Sequence, residues 1–209
     1  MNELLSSIAT INIYKGVYDP CQIVTNISND EPISTGYNPD GELVKKFVKY
    51  DTHKIERNHL CLFAIDTNIN KIIALRNSVD LCDFSYDLNV KGIEPLVQLG
   101  RLTLDCYKKY FNYPDIKRGT ILHFSGLYVA PEYRENKLGS TLIEKAVEIA
   151  KRDGFKFIVV EANSLYSYKI MCKFGFKLLE EWAYDSVEGF KDKIKPPHTH
   201  YKIMCLNLF

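Results

Sequence analysis

No apolar run in this sequence approaches the ~20 residues that a helix needs to cross a bilayer, and the opening MNELLSSIATINIYKG has neither a basic leader nor a long apolar stretch. A membrane role is not expected. An excess of one charge is missing too. Lys+Arg number 27 against 26 Asp+Glu, a formal net charge of +1, so no overall field draws the chain to nucleic acid or an acidic surface. There is no arginine-rich run and no aromatic–basic interleaving, so a nucleic-acid partner is not expected. Cysteine pairs at ligand spacing are absent as well. Cys21, Cys61, Cys82, Cys106, Cys172 and Cys205 form no CxxC, a scatter suited to reduced, mostly buried thiols in a cytoplasmic protein. His53, His59, His123, His198 and His200 show no ligand spacing with Cys or Asp, so no metal site is expected. Repeats, low-complexity runs and linkers are missing, which leaves one domain over 1–209, expected as a monomer or weak dimer.

What is present is ordinary soluble composition: 46% apolar and 25% charged residues, enough for a sizeable core. In order, residues 8–18 alternate as a strand. Asp19-Pro20 opens a short helix over Cys21–Ile27, and Pro39-Asp40-Gly41 opens another carrying Leu43, Val44, Phe47 and Val48. Leu60–Asp66 and KIIALRNSV form a hairpin around Asn68–Asn70. A longer helix runs from Glu94-Pro95 to Phe111, and Gly119 precedes an apolar strand. The next helix opens near Leu138 with Leu142, Ile143, Ala146, Val147 and Ala150 on one face, and stops at Asp153-Gly154. Phe155–Asn163 is a continuous apolar run, typical of a strand covered on both faces and often parallel to its predecessor. A short helix over Leu165–Phe174 and two late strands, KLLEEWAYDSV and THYKIMCLNLF, close the chain. The sum is an α/β (α+β) domain on a mixed sheet, with an inserted helix ahead of the central strand.

The centre of this arrangement is ILHFSGLYVAPEYRENKLGSTLI, Ile121 to Ile143. Leu127, Tyr128 and Val129 end a strand, and Pro131 cannot continue its ladder. Arg134, Glu135, Asn136, Lys137, Leu138, Gly139 and Ser140 then supply consecutive backbone N–H groups and two basic side chains at a helix start, an end that attracts anions. On spacing alone, a phosphate cradle and a plainly solvated ββα connection stand equally open.

The element order, the VAPEYRENKLGSTLI turn and the NSLYSYKIMCKFGF helix resemble the GCN5-related N-acetyltransferase (GNAT) superfamily. Its acetyl-CoA phosphates bind an R/Q-x-x-G-x-G/A turn; here Lys137 replaces the first glycine and Gly139 retains the second. Asp30-Glu31-Pro32, the inserted helix, FNYPDIKRGTILHFSGLYVAPEYR and PPHTHYKIMCLNL narrow the likeness to insect-type arylalkylamine N-acetyltransferases. It is clearest from Phe111 onward.

The resemblance implies a mostly antiparallel GNAT-like sheet flanked by helices, acetyl-CoA as co-substrate, and a small primary amine as acceptor. Such an amine is protonated at neutral pH and must lose a proton before it attacks. Glu31 stands where the resembled enzymes keep a general base. Backbone N–H groups at Leu127 to Val129 would meet the oxyanion. Ser167, in the Tyr166-Ser167 pair, would assist the departing thiolate, because Met171 occupies the place of the more usual tyrosine and cannot donate. Asn163 replaces a second serine of those enzymes, with Ser164 beside it. His198 would border the amine pocket or cap a helix, and Trp182, Tyr184 and Phe190 would line that pocket or fill the core. Cys172 would allow an acyl-enzyme route, but it lacks an evident histidine partner. Polyamines or peptide amino termini are alternative acceptors. A CoA-binding sensor without turnover is the alternative from another class.

Overall fold

The computed structural model describes residues 3–8, 11–15, 33, 60–89 and 91–209. The helices expected over 21–27 and after Gly41 lie outside these residues, as does Glu31. The described strands are β1 (Glu3–Ile8), β2 (Ile11–Lys15), β3 (Leu62–Asp66), β4 (Lys71–Asp80), β5 (Ile121–Val129), β6 (Phe157–Ala162), β7 (Lys177–Ala183) and β8 (His200–Asn207). The helices are α1 (Glu94–Phe111), α2 (Leu138–Arg152) and α3 (Leu165–Lys173).

The eight strands form one sheet in the order β1-β2-β3-β4-β5-β6-β8-β7. Every neighbouring pair is antiparallel except β5 and β6, which run parallel from Ile121↔Phe157 to Phe124↔Val160. This is the mixed sheet that the segments predict and the mostly antiparallel one that the GNAT resemblance implies, and the continuous apolar run of β6 is its one parallel partner. At the amino end the sequence reading needs correction. Residues 3–8 form a strand of their own against β2, and the strand expected over 8–18 is described only at 11–15.

Local chemistry sets the other boundaries. The β3–β4 turn takes a left-handed residue at Asn70 (φ 49°), a conformation that asparagine tolerates better than most, and Asp66 Oδ1 accepts the Asn68 N–H at 2.9 Å. Pro95 opens α1, where its missing N–H costs nothing. Asn112 closes it in the left-handed region, its N–H bonded to the Tyr107 carbonyl. The late strand expected to reach Val187 ends at Ala183 and passes into a single 3₁₀ turn. There the Tyr184 N–H reaches across to the Thr199 carbonyl, and its hydroxyl donates to the Asn163 carbonyl at 2.7 Å.

Two cores lie on opposite sides of the sheet's centre. One gathers Leu138, Leu142, Ile143, Ala146, Ile149 and Ala150 of α2 against Leu62, Ala64, Leu122, Phe124, Val160 and Met171. Each fully buried leucine or isoleucine contributes about 2 kcal/mol of apolar transfer energy. Ile149 takes the buried position expected of Val147, which is half-buried. The second core sets Leu99, Cys106 and Tyr107 of α1 against Val79, Phe84, Ile121, Val159, Tyr201 and Ile203. Tyr184 and Phe190 are buried in this second core and Trp182 packs at its margin. These aromatics therefore serve as core rather than as an open pocket.

Candidate active site

Strand β5 outlasts its pairing with β6. The last parallel rung is Phe124↔Val160, yet β5 continues to Val129, paired from Gly126 onward with β4 alone. A wedge therefore opens between the two parallel strands beyond Phe124. The ladder on the other side fixes which β5 groups face it. Ala130 N–H donates to Ile73 O at 2.8 Å, so 73 and 130 form a hydrogen-bonded pair, and antiparallel pairs alternate. Leu75↔Tyr128 is then a bonded pair, whereas Ala74↔Val129 and Arg76↔Leu127 are non-bonded. The Leu127 and Val129 peptide groups consequently point away from β4, into the wedge. Tyr128 turns its amide to β4 and buries its ring with Phe63 and Leu75.

Beyond the wedge lies the turn. Arg134 sends its Nε back to the Val129 carbonyl at 3.1 Å. Glu135 (φ 73°) and Lys137 (φ 59°) both take the left-handed conformation, Lys137 as the residue just before α2. Lysine here adopts a backbone conformation that glycine takes freely, at a cost of roughly 1–2 kcal/mol. The first amide of α2 with a helical acceptor is Thr141, bonded to Lys137 O at 2.9 Å. Among the described residues, nothing accepts from the backbone amides between Glu135 and Ser140. Arg134, Glu135, Asn136 and Lys137 are exposed, Gly139 and Ser140 half-buried, and Leu138 anchors the turn in the core. A Cβ on Gly139 would meet Val129 and Leu127 at ordinary contact distance, 3.6 and 3.7 Å. The retained glycine thus marks close packing of α2 on β5 that alanine also fits.

The far side of the wedge is the start of α3. Ser164 is its N-cap: its Oγ accepts the Ser167 N–H at 3.0 Å, and the Ser167 hydroxyl donates to the Ser164 carbonyl at 2.9 Å. His198 Nδ1 accepts the Leu165 N–H at 3.2 Å, so this histidine caps α3. Burial lowers its pKa, favouring the neutral ring that the bond requires. Tyr166 is 63% exposed and sets its ring edge-on to His198. Asn163 keeps a buried Oδ1 with no hydrogen-bond partner among the described residues. Cys172 is exposed.

Sequence reasoning missed two buried polar groups at the foot of the wedge. His123 Nε2 meets Glu161 Oε2 at 2.7 Å, and Tyr107 donates to Glu161 Oε1 at 2.6 Å. Burial pushes the Glu161 carboxyl up, but the facing His123 and the two hydrogen bonds outweigh it, and the net direction is down. The second group is Arg76, 1% exposed, with Nη1 on the Gly126 carbonyl at 2.7 Å and its guanidinium 3.7 Å over the Phe124 ring. The available signal was a charge inside an apolar strand run, which a fold tolerates only with partners. Spacing does not say who those partners are.

Residues 103–176 match the model of the acetyltransferase (GNAT) family. Arylalkylamine N-acetyltransferase 2 from Aedes aegypti superposes with a TM-score of 0.72 at 19% identity, over 95% of this chain and 99% of that one. The fold is that of the GNAT acetyltransferases. The Drosophila melanogaster polyamine N-acetyltransferase that forms N-acetylagmatine has the same architecture (TM-score 0.67, 16% identity, 94% and 99% covered). So does a structure of the NatC complex bound to Gag peptide and CoA (TM-score 0.56, 13% identity, 95% and 99% covered). Among curated proteins the sequence has no significant match.

The residues present suit the acetyl-CoA that GNAT proteins use. Two left-handed residues curl the turn into a concave run of amides at the start of a 15-residue helix, a combination that holds phosphate oxygens. The Leu127 and Val129 peptides offer an extended segment in the wedge a strand to pair with. Among the described residues no group of His, Cys, Asp or Glu could hold a metal ion, and no helix is long and apolar enough to cross a membrane.

Proposed function

We propose that this protein is an acetyl-CoA-dependent N-acetyltransferase that acetylates a small primary amine, of the arylalkylamine class, by direct transfer. The observation that carries the reading is the wedge between β5 and β6. The peptides of Leu127 and Val129 face it, and the left-handed turn at Glu135 and Lys137 caps it.

Bound acetyl-CoA would supply an acyl group on a good leaving thiolate. Backbone amides from Arg134 to Ser140 would hold its pyrophosphate, with the Lys137 ammonium alongside. Glu31 would take the proton of the substrate ammonium. The amine nitrogen then bonds to the carbonyl carbon as the π pair moves to oxygen, where the Leu127 N–H meets the charge. Collapse re-forms the carbonyl and breaks the carbon–sulfur bond with the pair leaving on sulfur, and the second proton of the attacking nitrogen passes to water or to the departing thiolate, leaving the neutral amide and CoA. The Ser167 hydroxyl would hydrogen-bond this thiolate, after turning from the Ser164 carbonyl that it now contacts. No acyl-enzyme is required.

A second reading, a CoA-binding sensor without turnover, draws support from Ser167 itself, whose hydroxyl is committed to the helix cap. A free-CoA release screen over arylalkylamines, polyamines and short peptides separates the readings. The transferase reading expects release with arylalkylamines, and a fall in kcat of about 100-fold in Glu31→Gln with unchanged CoA affinity. Thermal stabilisation by CoA with no release from any amine would establish the sensor instead.

A further inference from the structure

Arg76 is a fully buried cation with no ion-pair partner among the described residues. It sits on β4 opposite Leu127, where the β4–β5 register slips between Asn77 and Ser78, so that Ser125 of β5 is skipped in the pairing. Its contacts are the Gly126 carbonyl through Nη1 and the Phe124 ring beneath the guanidinium. Nε and Nη2 have no hydrogen-bond partner, and no carboxylate lies within ion-pair distance of it, among the described residues. Burial lowers its pKa to about 9, so the group stays charged at neutral pH. Isolated buried charge is costly, and a cation kept in this position calls for a function.

The carbonyl it holds belongs to one particular peptide. A peptide unit is planar and trans, so its C=O and N–H point in opposite directions. The Gly126 carbonyl lies on the bonded side of the ladder; the N–H of the same unit, that of Leu127, points into the wedge. A charge-assisted hydrogen bond at one end of an amide withdraws electron density from the other and makes its N–H a stronger donor. Glu161 attracts the Arg76 charge from further off, but the direct hydrogen bond of the guanidinium is to this peptide.

We propose that Arg76 is a positioning residue for acyl transfer: through the Gly126 carbonyl it fixes and polarises the Gly126–Leu127 peptide, so that the Leu127 N–H is the donor that meets the oxyanion. This rests on the transferase reading above. Arg76 itself does not touch the reacting atoms. Its effect is confined to the step in which negative charge reaches the acyl oxygen, and hence to kcat.

The test compares Arg76→Met, which matches length and bulk without donors, and Arg76→Lys, which retains the charge, with the unmodified chain. Replacing a buried charge by an apolar side chain of similar volume is commonly tolerated in stability, and a cooperative thermal transition confirms folding in each variant. Expected for Arg76→Met is a fall in kcat of roughly 10- to 100-fold, short of the 10²–10³ typical of deleting an oxyanion donor outright. Acetyl-CoA affinity by calorimetry and amine KM should stay within about twofold, and Arg76→Lys should recover part of the loss. The Leu127 amide proton, followed by NMR in the CoA-saturated protein, should move upfield in Arg76→Met and return partway in Arg76→Lys. Unchanged kcat and an unmoved Leu127 resonance in folded Arg76→Met overturn the proposal, as does a loss of CoA affinity equal to the loss of kcat. A chain that releases no CoA with any amine sinks the transferase reading. The Leu127 resonance then still decides whether Arg76 polarises that peptide.

Discussion

His123 and Glu161 meet at 2.7 Å on the α1 face of the two parallel strands, where β5 and β6 begin to part. His123 lies opposite Val159, and Glu161, two residues on, shares that face of the sheet. Tyr107 of α1 closes the second oxygen, so one carboxylate ties the inserted helix to both strands at the foot of the wedge.

Glu161→Gln removes the charge and keeps the shape, and should lower the unfolding free energy at pH 7 by about 2 kcal/mol, the usual scale for hydrogen bonds to a charged group. The sign with pH follows from the lowered carboxyl pKa. A carboxyl with a folded pKa below its unfolded value, about 4.3, stabilises above that value, and the stabilisation fades as pH falls through the folded one. Urea unfolding of both proteins should therefore show the full gap at pH 7 and a shrinking gap below about pH 4. A gap that stays constant down to pH 3 would contradict the assignment.

Lys137 stands left-handed at the start of α2. Lys137→Gly relieves the Cβ strain, worth roughly 1–2 kcal/mol, against the greater freedom glycine gains when unfolded. The net expectation is a gain of up to about 1 kcal/mol in thermal or urea stability. Lys137→Val, β-branched in the same conformation, should lose at least as much. If the lysine ammonium also meets phosphate, Lys137→Gly binds CoA more weakly at low salt, and the difference closes as salt screens it.

Ser164 and Ser167 share one capping box but should fail differently. Ser164→Ala deletes the acceptor of the Ser167 N–H and should cost about 1 kcal/mol of stability, with kcat nearly unchanged. Ser167→Ala removes the return arm of the box and the bond to the Ser164 carbonyl but keeps the Ser164 cap on the Ser167 N–H, and should cost less stability. If its hydroxyl serves the thiolate, kcat should fall at least ~10-fold. Equal kcat in the two variants would return Ser167 to a purely capping role.

The strands from Leu62 onward, the three described helices and the turn were legible because periodicity, proline and glycine report on each residue's own backbone, whereas the separate strand at residues 3–8 was not. Leu138 to Ala150 declares its buried face, and the unbroken apolar run of β6 declares its parallel partner. The turn at Lys137 was legible in position, but its left-handed geometry was not, since the glycine that would have announced it is replaced. His123, Glu161, Tyr107 and Arg76 were invisible for another reason. Each is a charge or hydroxyl whose partner lies a long way off in sequence, 38 residues for His123 and 50 for the Gly126 carbonyl. Only the three-dimensional pairing shows what neutralises or engages them. The two serines illustrate the converse, because Ser164 and Ser167 were both singled out, yet which one caps α3 depends on where the helix begins.

His198 offers the last test, and its sign is opposite to that of a histidine in an ion pair. Its Nδ1 accepts the Leu165 N–H, which only the neutral ring can do, and burial lowers its pKa in the fold. A histidine with a folded pKa below the unfolded 6.5 stabilises above that value, and its contribution is lost as pH falls through the folded one. Melting temperature should accordingly drop between pH 7.5 and pH 5.5 by more in the unmodified protein than in His198→Phe. That variant should start lower at pH 7.5 by the worth of one cap, about 1 kcal/mol. Because the cap fixes the first turn of α3, it also holds Ser167 beside the wedge. His198→Asn, with a side-chain oxygen able to accept the same N–H, should recover stability and flatten the pH response together. A His198→Asn protein that keeps the acid-side drop would show that another group carries it.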